Sequence, residues 1–156
     1  MNRLQKVVAR TIEPNRRKFF SLRRANRSLV LVRKVTADIV AEYPRLLELQ
    51  EMLEYAQQQG SVEYIGRLQA DMAGAVGRLQ DLIGELESIG VELCDFGRGM
   101  VDFPGFVAGR EIRFCWQFGE ERIGHWHLAH EDTTCRRPVA ELMGMRKSTA
   151  VSKTAV

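Results

Sequence analysis

Residues 114–130 read FCWQFGEERIGHWHLAH and hold Cys115, Trp116, Trp126 and all three histidines of the chain, His125, His127 and His130. Cysteine and histidine are the side chains that ligate zinc, and a cysteine next to a histidine is also a nucleophile next to its base. Zinc sites commonly draw ligands in close pairs such as C-x2-C or H-x3-H, because two donors from one turn pre-organise the tetrahedron. Cys115, His127 and Cys135 have no such pairing. His125 and His127 are two apart and share a face if they lie on a strand, as do Arg113, Cys115 and Gln117 on the strand before.

Whether thiol and imidazoles meet depends on the parity of the connection between those strands. A two-residue turn at Gly119-Glu120, the commonest hairpin length, sets Trp116 opposite Ile123 and sends Cys115 to the face away from His125 and His127. An odd connection brings them together. With the two-residue turn, neither a metal nor any other cofactor is expected. A hydrolytic set of Cys115, His127 and Asp102 or Glu120 fails on the same parity. Cys115, Trp116 and Trp126 are then expected to be core residues, each indole N–H needing a partner. Asp102 and Arg137 stand beside apolar residues, where a charge requires a counter-group. The candidate polar cluster is therefore Asp102, Glu120, His127 and Arg137, either a lock that fastens the sheet or the lining of a ligand pocket.

These residues need elements to hold them. Ser21 makes a helix N-cap with Phe20 ahead of it as a staple, and Ala25, Leu29, Val32, Ile39 and Val40 follow helical spacing. Pro44 predicts a kink, because the pattern resumes at once with Leu46, Leu49, Leu53 and Ala56. Gly60 stops this helix and Ser61 starts the next, whose apolar positions run from Val62 to Ile89, closed by Gly90. So short a connection implies an antiparallel hairpin. Gly66, Ala70 and Gly74 form a ridge of small residues on the second helix, with Gly77 nearby, that would let another backbone approach.

After Gly90 the pattern alternates. Strands are expected at 91–93, 100–103, 111–118 and 122–128, with turns at 97–99, 104–109 and 119–120. Helices followed by strands predict an α+β fold, a long antiparallel helical hairpin (21–89) with a small antiparallel β-meander (91–128) packed against it. The expected organisation is a basic extension over 1–18, broken at Glu13-Pro14-Asn15, one domain over 19–142, and a flexible tail over 143–156.

A chain of 156 residues is long enough to bury a core without cross-links. No stretch approaches the roughly eighteen apolar residues of a transmembrane helix. The first residues lack the apolar segment of a secretory signal, although their arginine-rich character overlaps with a mitochondrial presequence. Three cysteines, Cys94, Cys115 and Cys135, are too few for a secreted disulfide framework and fit a reducing cytoplasm. The net charge of +3 conceals a segregation: residues 1–34 carry eleven Lys/Arg against Glu13 alone, and residues 35–100 carry four against twelve acids. The basic segment could meet phosphate backbones or lipid headgroups, or the acidic helices of its own chain or of a second copy.

Two blocks resemble a bacterial family known only as domain of unknown function 2203. The first is FSLRRANRSLVLV, Phe20 to Val32. The second runs from Gly90 to His127 with Arg137-Pro138 after it, and there Asp102-Phe103-Pro104, Cys115-Trp116, Gly119-Glu120 and Trp126-His127 match the family's pattern. The resemblance spans residues 19–139 and implies a long helical hairpin joined to a small sheet. It implies no activity, and His125, His130 and Cys135 have no counterpart in it. Two function classes follow: a non-enzymatic cytoplasmic interaction module that pairs with itself or a helical partner, and a small-ligand or metal-binding domain, enzymatic or not, with its site on the meander. A third is nucleic-acid or membrane-surface binding through the basic N-terminal segment.

Overall fold

The computed structural model describes residues 2–8 and 18–151. The expected break at residues 13–15 and the last residues of the tail, 152–156, lie outside them. A short helix α1 (Arg3–Val8) precedes two long ones, α2 (Leu22–Gln59) and α3 (Val62–Ile89). Ser21 caps α2, its hydroxyl accepting from Arg24 N at 3.2 Å, and Gly60 and Gly90 end the two helices at φ +72° and +101°. Ser61 makes no such side-chain bond. Pro44 lies inside α2, which continues through it.

Five strands form one antiparallel sheet in sequence order: β1 (Glu92–Asp95), β2 (Met100–Val107), β3 (Arg110–Gln117), β4 (His125–Leu128) and β5 (Arg137–Pro138). A helix α4 (Ala140–Val151) follows, where the sequence beyond Gly144 shows no apolar period. The sheet packs on the hairpin through Val101, Phe103, Ile112, Phe114, Trp116 and Trp126, which join Leu29, Val32, Ile39, Leu79 and Leu86 in one buried core. Each such side chain contributes about 1.5–3 kcal/mol by leaving water. Both indoles find acceptors, Trp116 in the Glu120 carbonyl at 3.0 Å and Trp126 in that of Pro138 at 3.2 Å.

Two expected turns are different in the molecule. β2 does not end before Pro104 but runs to Val107, and the turn is Ala108-Gly109, both with positive φ as a two-residue hairpin requires. Proline is tolerated because the β1 ladder reaches only Asp102, so no strand needs an N–H from Pro104; its carbonyl instead accepts from Phe20 N at 2.7 Å. The second correction concerns the parity on which the site depends. The connection between β3 and β4 is not Gly119-Glu120 alone but residues 118–124, an odd number, and Cys115 stands opposite His125, with Arg113 opposite His127. Contacts from α2 impose this longer loop: Asn26 Oδ1 accepts from Ile123 N at 2.9 Å, and Arg33 donates to the Glu121 carbonyl at 2.8 Å.

Candidate functional site

Strand alternation divides the sheet into two faces. Val101, Phe103, Phe114, Trp116 and Trp126 point toward the helices, so Asp102, Cys115, His125 and His127 point away from them. Register then gathers this outer set: Asp102 on β2 is the partner of Cys115 on β3, and His127 on β4 sits diagonally beside it. Although this face looks away from the core, Asp102 is 4% exposed, Cys115 0% and His127 2%. One donor atom from each of the three lies within 4.8 Å of the other two.

His127 Nδ1 is 2.9 Å from the Leu128 carbonyl, which only accepts, so the proton sits on Nδ1 and the imidazole presents Nε2 to the cluster. Nε2 is 2.9 Å from Asp102 Oδ2, and one proton is shared between them. The second carboxylate oxygen, Asp102 Oδ1, is buried without a hydrogen-bond partner. The thiols of Cys115 and of Cys94 on β1 both lie alongside that carboxylate.

Burial pushes the Cys115 thiol up to about 12, the Asp102 charge adds to the rise, and Arg136 opposes it. A thiol so held is not a nucleophile at neutral pH, which weakens the hydrolytic reading. Burial and then Asp102 push Cys94 up as well. For His127 burial pulls down, but the hydrogen bond and charge of Asp102 and the Leu128 carbonyl outweigh it and leave the imidazole raised.

Arginines roof the cluster. Arg113 lies buried on the same face, bonded to Glu111 Oε1 at 2.7 Å with Glu92 Oε2 3.9 Å away. Arg136 holds both oxygens of Glu120 at 2.9 and 3.0 Å. Of the four polar residues singled out in the sequence, Asp102 and His127 therefore meet directly. Glu120 belongs to the roof, 3.8 Å from His125 Nδ1. Arg137 goes elsewhere: it pairs with Glu131 at 2.7 and 2.9 Å and its guanidinium stacks 5.0 Å from the Trp126 ring. The residue missed by the sequence reading is Cys94. The signal was one-residue alternation from Leu93, whose partner Val101 faces the core.

On α3, Gly66, Ala70 and Gly74 lie on the exposed surface and Gly77 is half-buried. No heavy atom lies within 4 Å of where a Cβ on Gly66 or Gly77 would stand, so packing within this chain does not require glycine there. No described helix is long and apolar enough to cross a membrane.

The model of a family described as "Uncharacterized conserved protein (DUF2203)" matches residues 18–139, in agreement with the resemblance carried by the sequence blocks. No curated protein and no solved structure matches the chain.

Proposed function

The chain belongs to that family of uncharacterized proteins, DUF2203, and we propose that this member binds a divalent transition-metal ion of the zinc class through Asp102, Cys115 and His127. The observation that carries the reading is the convergence of three ligand-type donors, all buried, around a carboxylate oxygen that has no other partner. Donor distances support it: 2.9 Å between nitrogen and oxygen, and at most 4.8 Å elsewhere, bracket the roughly 3.3–3.8 Å edges of a tetrahedron with bonds of 2.0–2.3 Å. A hydrogen bond from the second histidine nitrogen to a backbone carbonyl is the usual outer support of a metal-bound imidazole. A cation would take the place of the proton now shared by His127 and Asp102, and would draw the proton from Cys115 despite its high affinity for it. Asp102, Cys115 and His127 also stand at positions where the family resemblance places the same residues.

Protein purified under reducing conditions and exposed to zinc is expected to hold about one ion per chain and to melt at a higher temperature. Cys115→Ser and His127→Gln should each lose the ion while keeping the far-ultraviolet dichroism of the folded chain. A wild-type protein that takes up no zinc, cobalt or nickel and shows no thermal shift would sink the proposal. The reading fits a reducing bacterial cytoplasm, where a buried thiol stays available to metal.

A second reading, self-association, is favoured by a different observation. Val62 is 82% and Tyr55 64% exposed near the hairpin turn, on helices that also expose Gly66 and Ala70. A second copy covering that surface is the simplest partner. Light scattering reads it directly: a monomer at micromolar concentration rejects it.

A further inference from the structure

We infer that Cys94 supplies a fourth ligand to the ion, so that the site is closed, with two thiolates, one imidazole and one carboxylate drawn from four consecutive strands. The inference rests on the metal reading above and deepens it, because the fourth position decides what the site is for. A three-ligand ion keeps a water and can hydrolyse; a four-ligand ion is structural or a sensor of metal supply.

Geometry favours Cys94 over its neighbours. Glu92 pairs with Asp102 and Leu93 with Val101, and the register then slips before Asp95 meets Met100, so Cys94 is the extra residue of a β-bulge. Bulges re-aim a side chain, and alternation after Leu93 aims this one at the outer face, where its thiol interacts with the Asp102 carboxylate from outside the 4.8 Å grouping of the other three donors and would move in to bind. Its sulfur makes a weak bond to the Glu92 carbonyl at 3.8 Å and also interacts with the Asp102 carboxylate.

Two other donors on this face are already paired: Glu92 faces Arg113 and Glu120 is held by Arg136. His125, opposite Cys115, has a buried Nδ1 with no hydrogen bond, 3.8 Å from Glu120 Oε1, and falls outside the close grouping of Asp102, Cys115 and His127. Cys135 lies exposed, in the turn after Asp132. Two thiolates also predict selectivity. Sulfur donors favour zinc, cadmium and cobalt over magnesium, calcium and manganese, which prefer oxygen.

Cobalt(II) tests this, because each thiolate bound to it adds near-ultraviolet charge-transfer absorption. Wild-type protein loaded with cobalt should show the intensity of two thiolates and Cys94→Ser about half of it, with zinc affinity lowered by at least about 10-fold. Cys135→Ser should leave both unchanged. Cobalt bound by wild type with one-thiolate intensity, and a Cys94→Ser variant equal to wild type in spectrum and affinity, would overturn the fourth ligand and leave the three-ligand site standing. Absence of metal from wild type would remove both.

Discussion

The His127–Asp102 contact joins two side chains that are 3% and 6% exposed at 2.9 Å, and such a pair is costly to break from one side. In metal-free protein it titrates with the imidazole. Burial lowers the His127 pKa and Asp102 raises it by more, Arg113 opposing, so the folded value lies above the ordinary 6.5. A group raised on folding stabilises fully below its unfolded pKa, and that contribution fades as pH rises through the folded value. Metal-free protein should therefore be harder to unfold with urea at pH 6 than at pH 8.5, and His127→Gln should flatten that difference. An equal or larger difference in the variant would show that another group controls it. Asp102 and His127 were legible in the sequence as polar residues that need partners. Their meeting with Cys115 was not, because it depends on which way a strand's residues point and not on which residues they are.

Among the elements, those with a period were readable and those fixed by contact were not. Leu68, Leu79, Ile83 and Leu86 announce α3 because a helix must turn one face to the core, and all four are buried. The 118–124 loop announces nothing. Gly119-Glu120 suits the commonest hairpin, yet Asn26 and Arg33 of α2 reach the loop from nearly a hundred residues away in sequence and hold it in its longer form. Even Glu120 contributes, its carboxylate accepting from Gln117 N at 2.9 Å. Asn26 is thus a positioning residue for the site as well as a surface of α2. Asn26→Ala leaves the Ile123 N–H without its acceptor and is expected to cost about 1–3 kcal/mol by denaturant unfolding. It should also weaken zinc binding, since the same loop sets His125 opposite Cys115. Unaltered stability in the variant would mean that water replaces the asparagine and that α2 does not set the register.

At the scale of the whole molecule the sheet serves two masters, its inner face bound to the helices by apolar contact and its outer face held by charge and hydrogen bonds. The inner bond is strong. It includes a close approach at Gly99, where a Cβ would stand 2.8 Å from Thr36 and Val40 of α2, leaving no room for a side chain. Among the described residues, the outer face carries the arginine–carboxylate pairs of Arg113 and Arg136 and the 129–136 segment with its one short 3-10 turn. An ion that joins β1, β2, β3 and β4 through one ligand each would fasten the face that packing leaves least secured. Its removal should therefore act unevenly. Chelation of the zinc-loaded protein is expected to leave the helical far-ultraviolet dichroism and the slow hydrogen exchange of α2 and α3 near their loaded values, while amides of β3 and β4 exchange faster. Loss of protection spread evenly over helices and strands would place the ion's contribution in global stability instead. If exchange did not change in any strand, the Asp102–His127 pair alone would be holding the outer face.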